Sequence, residues 1–295
     1  MIIGGKEFDT EHKSYIMGVL NVTPDSFSDG GRFYSKRTGG RLLSADPTGI
    51  KQTEDRYYIN RDAALDHVER MIFEGADIID IGGESTRPGY QMVSYQREIE
   101  RVIPIIEDIK ENFDIPLSLD TYKPEVAEAG IKAGIDMIND IWGLKSDERM
   151  AKLIAESGVP CCLMHNRKQI DYTDFVEDVK NDLRETLDIA EKAGISKDKI
   201  ILDPGIGFSK TYEQNLEIMN RLEEVCSLGY PVLLGSSRKS VIGFTLDLQE
   251  DERVEGTIAT TVIGRMRGAR FFRVHDVMEN LRALRMAEAI INGGK

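Results

Sequence analysis

Long apolar runs are missing from this sequence. No stretch reaches the roughly 18 consecutive apolar residues that a membrane helix needs, so insertion into a bilayer is not expected. The opening MIIGGKEFDTEHK lacks the apolar segment of a secretory signal. Cysteine is scarce: Cys161 and Cys162 are adjacent and Cys226 stands alone. Three such residues form neither a paired disulfide framework nor a metal-ligand spacing, and a reducing cytoplasm fits them best. Positive charge is also short, with 38 Lys+Arg against 51 Asp+Glu and a formal charge of −13. Nucleic acids and anionic membranes are gripped by clustered Lys and Arg, so neither is expected as a partner.

What is present is an alternation. Eight short, mostly apolar runs end in polar or glycine residues: Tyr15–Val22, Ala76–Ile81, Pro116–Leu119, Met137–Ile141, Pro160–Met164, Ile200–Leu202, Pro231–Leu234 and Phe271–Val274. Between them lie segments of helical spacing: Arg61–Glu74, Gln96–Asn112, Pro124–Ala133, Glu148–Glu156, Phe175–Ala193, Glu213–Glu224 and Arg253–Arg267, with Val277–Ile291 last. Strands apolar on both faces are those of a covered parallel sheet. A (β/α)₈ TIM barrel in one domain, residues 1–295, is therefore expected. An open doubly wound sheet gives the same alternation but gathers its ligand residues at one switch point. Here Asn21, Glu84, Asp120, Asn139, His165, Asp203, Ser237 and His275 close nearly every strand, which favours the barrel.

Two segments stand outside that repeat. Residues 1–14 precede the first strand and are expected to form a plug or hairpin under the barrel. The first connection is long: Asn21 to Glu84 is 63 positions, against 36 from Glu84 to Asp120. Its surplus, residues 32–60, carries six Lys/Arg against three acids and reads as a solvated loop, with anion capture as the sharper alternative.

Chemistry concentrates at the strand ends. Asn21–Gly31 packs turn formers, hydroxyls and carboxylates, and its Phe27 gains nothing at a turn tip unless something covers it. Gly82–Gly89 lacks both the Walker and dinucleotide spacings. Asp120, Asn139 and Asp203 offer donors and acceptors suited to a heterocycle edge, although any one could be a helix cap and paired carboxylates could serve glycoside hydrolysis or a divalent metal. Arg238, Lys239, Arg273 and His275 bring positive charge to the same mouth, as an anionic substrate requires in a negative protein. Taken singly, Arg238 is as well explained by a salt bridge and His275 by a helix cap. His165 reads as structural, and Cys161 and Cys162 as facing opposite sides of one strand.

Collectively these motifs resemble dihydropteroate synthase over nearly the whole chain: NVTPDSFSDGG at Asn21–Gly31, GGESTRPG at Gly82–Gly89, Asp120-Thr121 with Lys123-Pro124, INDI at Ile138–Ile141, Leu163–His165, Leu202–Gly207 with Phe208 and Lys210, SRKS at Ser237–Ser240, and RVHD at Arg273–Asp276. The resemblance implies a (β/α)₈ barrel, a cytoplasmic homodimer and a transferase of folate biosynthesis. The implied reaction condenses (7,8-dihydropterin-6-yl)methyl diphosphate with 4-aminobenzoate, assisted by Mg²⁺, with sulfonamides competing as aminobenzoate mimics. It implies Asp120, Asn139, Asp203 and Lys239 at the pterin, with Asp120, Lys239 and Asn21 catalytic, Asn21 at Mg²⁺, and Asn21, Arg273 and His275 at the diphosphate. Thr86, Arg87, Pro88, Phe208 and Ser240 fall around aminobenzoate, and Phe27 and Asp29 in a loop that closes over the reacting centre. Because the arylamine is a neutral, weak nucleophile, SN1-like departure of diphosphate is expected, with the developing cation stabilised by Asp120. Residues 32–60 exceed the first connection of many bacterial members. Asn166-Arg167-Lys168 replaces the Met-rich continuation of some, so no contacts carry over there. Two rivals stay open on the sequence: a pterin-binding methyltransferase domain of a corrinoid system, which has less use for the Ser237–Ser240 and Arg273–His275 cations, and a noncatalytic pterin-binding paralogue.

Overall fold

The element boundaries follow from local stop and start signals. In the computed structural model, which describes residues 1–23, 34–36, 57–84 and 92–293, the first long helix, α1 (Arg61–Glu74), begins where the Asn60 side chain accepts the Ala63 N–H at 3.2 Å. It ends at Gly75, whose φ of 99° is left-handed and open to glycine without strain. Ahead of it lie β1 (Ile2–Ile3), β2 (Lys6–Glu7), β3 (Tyr15–Asn21), β4 (Tyr34–Lys36) and β5 (Tyr57–Ile59). After it come β6 (Ile78–Gly82), α2 (Tyr95–Asn112), β7 (Leu117–Asp120), α3 (Pro124–Ala133), β8 (Met137–Asp140), α4 (Glu148–Ser157), β9 (Cys161–Met164), α5 (Phe175–Ala193) and β10 (Ile200–Asp203). The chain continues through α6 (Tyr212–Asn220), α7 (Leu222–Cys226), β11 (Leu233–Leu234), α8 (Ser240–Leu246), α9 (Val254–Met266), β12 (Phe271–Val274) and α10 (Val277–Ile291).

Eight parallel strands run in the order β10-β9-β8-β7-β6-β3-β12-β11. The ring closes where Leu202 bridges Val232 and its N–H donates to Pro231 O at 2.9 Å. This is the expected (β/α)₈ barrel. Period-two alternation then separates two cores. Ile79, Ile81, Leu117, Leu119, Cys161, Leu163 and Phe272 pack outward under the helices, whereas Met17, Ile78, Met137, Cys162, Ile201, Leu233 and Phe271 fill the inside. The two adjacent cysteines thus face opposite sides of β9, as the sequence suggested. No helix of the described residues is long and apolar enough to cross a membrane.

The N-terminal extension plugs the barrel from below. β1 and β2 pair antiparallel, and Ile3 and Phe8 are buried against the inner core. The Phe8 ring meets Tyr15 edge-on at 4.7 Å, and Tyr15 stacks on Phe271 at 5.5 Å. Each such buried side chain contributes about 1.5–3 kcal/mol relative to exposure.

One expectation gains detail and one needs correction. The segment 32–60 is not wholly irregular: β4 and β5 pair antiparallel with Tyr34 opposite Ile59, in keeping with the β propensity of Tyr and Ile. The expected helix Glu213–Glu224 is broken at Arg221, whose φ of −108° ends α6. Buried Ile218, Met219, Leu222 and Val225 keep helical spacing across the break, so the apolar pattern carries no trace of it.

Candidate active site

The inward positions that supply apolar contacts low in the barrel become polar toward the strand C-termini. Two residues above Ile78 stands Asp80, above Met137 Asn139, above Ile201 Asp203, and above Phe271 Arg273 and then His275. With Asn21 ending β3 and Asp120 ending β7, these groups surround a cavity of about 270 Å³, except Asp80, which lies beneath it. Glu84, Met164, Phe208, Ser237, Lys239 and Ser240 complete much of the wall.

Charge at the cavity floor is tightly paired. Arg273 Nε donates to Asp80 Oδ2 at 2.6 Å and its Nη2 donates to Asp120 Oδ2 at 2.9 Å. Asn139 Nδ2 donates to the same Asp80 oxygen at 3.3 Å. Burial pushes Asp120 up to about 7, Arg273 opposing and Asp80 adding to the rise. On the other wall, burial lowers Lys239 to about 8, with Asp203 as the main opposing charge. Burial likewise raises Asp203, against the pull of Lys239. Lys239 Nζ donates to Ile206 O and stands 4.7 Å from the Phe208 ring centroid. Asp203 Oδ1 accepts the Gly205 N–H at 2.7 Å. A carboxylate and an amide on one side, and a carboxylate with an ammonium on the other, can read the donor and acceptor edge of a flat heterocycle.

A family model described as pterin binding enzyme matches residues 48–275. The dihydropteroate synthase of Clostridium beijerinckii is 56% identical over 292 residues, 99% of this chain and 99% of that one. The chain belongs to the dihydropteroate synthase family. Among solved structures, dihydropteroate synthase from Clostridium difficile in the presence of pteroic acid superposes with a TM-score of 0.84 at 47% identity, covering 96% of this chain and 99% of that one. The Yersinia pestis dihydropteroate synthase in complex with a sulfonamide drug gives 0.87 at 37% identity over 99% of each chain. The activity is accordingly dihydropteroate synthesis in folate biosynthesis, a transferase reaction.

Within this dihydropteroate synthase fold, the residues singled out in the sequence fall into three groups. Asn21, Asp120, Asn139, Asp203, Phe208, Lys239, Ser240, Arg273 and His275 line one cavity. Phe27, Asp29, Thr86, Arg87 and Pro88 lie outside the described residues. Arg238, which also lines the cavity, and His165 are held by partners of their own. Arg238 pairs with Asp276 through Nε at 3.0 Å and Nη2 at 2.5 Å. His275 sits against Ser237, whose Oγ accepts the His275 N–H at 3.1 Å and lies 3.0 Å from its Nδ1.

His165 belongs to a network behind the wall. Its Nε2 is 2.9 Å from Asp182 Oδ2 and its Nδ1 is 2.9 Å from Lys210 Nζ. Burial holds His165 down at about 4 and Lys210 at about 7. Although burial works against it, hydrogen bonds from His165 and Arg167 keep Asp182 well below the usual carboxylate range.

Asp80 belongs to none of the sequence motifs, yet it is wholly buried and holds both Arg273 and Asn139. Its signal was available in the alternation Ile78, Asp80, Gly82, which puts an acid on the inward face of an otherwise apolar strand. Glu84, in the sequence simply a strand end, anchors a cation here. Its carboxylate accepts from Lys123 Nζ, which also donates to Glu98 Oε2 at 2.6 Å and Val93 O at 2.7 Å.

Proposed function

We propose that this cavity carries out the condensation by SN1-like loss of diphosphate from the pterin methylene, followed by capture of the cation by 4-aminobenzoate. The observation that carries the reading is the position of Asp120: a partly buried carboxylate on the cavity wall, with Arg273 bonded to one oxygen. A fixed negative charge in a water-poor site stabilises a developing cation without reorganising. Asp120, Asn139, Asp203 and Lys239 hold the pterin in this reading, and a ring lacking the matching edge would leave the buried Asn139 and Asp203 unpaired. Arg273 and His275 face the diphosphate. Phe208 and Ser240 form part of the aminobenzoate wall, with Thr86, Arg87 and Pro88 assigned there and Phe27 and Asp29 assigned to closure on family resemblance alone. Sulfonamides compete at that second subsite.

Mg²⁺ belongs to the same reading. Among the described residues no group of three or more His, Cys, Asp or Glu is placed to hold a metal ion. Asn21 contributes an amide oxygen at the rim. That donor set fits a hard cation whose remaining ligands are substrate phosphate oxygens and water. Asn21 would hold the ion, which when bound neutralises charge building on the departing diphosphate. We place the enzyme in the cytoplasm as a homodimer. Support for the dimer comes from apolar side chains exposed on three neighbouring helices: Phe244 on α8, Ile263 and Met266 on α9, and Met286 and Ile290 on α10. Patches of this kind mark contact surfaces.

The test is diphosphate release from pterin diphosphate and 4-aminobenzoate, with the pterin methylene protiated or deuterated. Dissociative departure gives a normal secondary isotope effect on turnover, whereas an isotope effect near unity under conditions where chemistry limits the rate would refute it. Release should require both substrates and Mg²⁺.

A further inference from the structure

Phe208 sits on a short loop, residues 204–209, whose carbonyls are gathered from two sides. On the cavity side, Lys239 Nζ donates to Ile206 O. On the far side, Lys210 Nζ donates to Gly205 O at 3.0 Å, to Phe208 O at 3.1 Å and to His165 Nδ1 at 2.9 Å. Lys210 is buried, 8% exposed, and does not line the cavity. Its three N–H bonds are all used, and two of them fix the carbonyls on either side of the turn that presents the Phe208 ring.

The anchor behind Lys210 is itself rigid. With Nδ1 accepting from Lys210, the His165 proton sits on Nε2 and is donated to Asp182 Oδ2 at 2.9 Å. Arg167 clamps that carboxylate through Nε at 2.5 Å and Nη2 at 3.1 Å. His165 N–H also donates to Asp203 O at 2.8 Å, tying the network to β10. Close packing leaves the loop few alternatives: Gly205 has φ +73°, and a Cβ there would fall 2.1 Å from His165 O.

We propose that Lys210 is a positioning residue for the second substrate: by fixing the Phe208 carbonyl and the turn beneath it, Lys210 sets the ring that contacts 4-aminobenzoate and so sets its affinity. This rests on the placement of Phe208 at the aminobenzoate subsite given above. Removing the ammonium takes the Lys210 donor from Phe208 O and leaves Gly205 O with the Phe208 N–H at 3.2 Å, and the turn relaxes. On the pterin side Asp120 and Asn139 stand on β7 and β8 and keep their geometry, and Asp203 and Lys239, which bond Gly205 N–H and Ile206 O of the turn, are themselves rooted outside it in β10 and before α8.

Steady-state kinetics on the full-length enzyme test it. Lys210→Met should raise KM for 4-aminobenzoate about tenfold while KM for the pterin diphosphate and kcat change by less than about twofold. Phe208→Ala serves as the reference. If Phe208→Ala leaves the aminobenzoate KM unchanged, the subsite placement fails, and the positioning role fails with it. If Phe208→Ala raises it but Lys210→Met does not, or shifts both KM values equally, the placement stands and the positioning role of Lys210 is overturned. Because Lys210 acts through Phe208, adding Lys210→Met to Phe208→Ala should raise the aminobenzoate KM no further; additive effects would contradict the proposal. Lys210→Gln, which can still donate two bonds, should fall between wild type and Lys210→Met. If circular dichroism shows both Lys210 variants unfolded, Lys210 serves the fold at large and the proposal is wrong.

Discussion

Asp80→Asn removes one charge from the floor of the site with almost no change in shape. Asp80 is fully buried and accepts from Arg273 Nε at 2.6 Å and Asn139 Nδ2 at 3.3 Å. The Arg273 side chain is 20% exposed and keeps Asp120 at 2.9 Å, so its charge is half-compensated rather than orphaned. Breaking a buried pair by neutralising one partner costs about 3–5 kcal/mol, and the surviving Asp120 contact places this case near the lower end, about 3 kcal/mol. Urea denaturation followed by circular dichroism measures it, with a midpoint lowered by about 1 M for a slope near 3 kcal/mol/M. Arg149→Met is the control: Arg149 bonds Asp147 and Glu125 but is 60% exposed, and its loss should leave the midpoint almost unchanged. If Asp80→Asn cost no more than that control, the paired floor would not be a stabilising element. The substitution has a second consequence, because Asp80 is one of the charges that raises Asp120. Without it Asp120 ionises at lower pH, and any rate dependence on the Asp120 carboxylate moves to the acid side.

Asp120 gives a pH prediction of its own. Its folded value, about 7, lies above the ordinary aspartate value of 3.8, so the native state holds this proton more tightly and ionisation costs stability as pH rises between those values. Relative to wild type, Asp120→Asn should gain stability on going from pH 4 to pH 8 in thermal melts. The chemical step needs the carboxylate, so kcat/KM should fall below about pH 7, and the Asn variant should lose both that limb and roughly 10²–10³ of kcat. Lys239→Ala and Asp203→Ala should severely impair turnover in a diphosphate-release assay, while Cys226→Ser, outside the cavity, stays close to wild type. Phe244→Glu, at a side chain 74% exposed, should yield monomers in sedimentation analysis if α8 to α10 form the dimer face; an unchanged mass would remove that surface from consideration.

The sequence by itself determined the barrel and the roster of polar strand ends. Apolar runs of strand length alternating with 3.6-period segments admit few architectures, and alternation within a strand fixes which residue looks inward once one neighbour is known. That is why Asn21, Asp120, Asn139, Asp203 and Arg273 could be named before the fold, and why Cys161 and Cys162 could be assigned to opposite faces. The break at Arg221 left no trace because it lies in backbone dihedrals while the apolar spacing runs on across it. The alternation through Ile78 turns Asp80 inward, but only the fold shows that Arg273 and Asn139 meet it there. Only the tertiary structure decided the pairings: Arg273 with Asp80 and Asp120 lies 193 and 153 positions away in the chain, and Lys210 meets His165 across 45. Local sequence encodes direction and polarity. Which charge neutralises which is set by barrel closure, which brings distant strands within hydrogen-bond reach and excludes the water that would otherwise screen them.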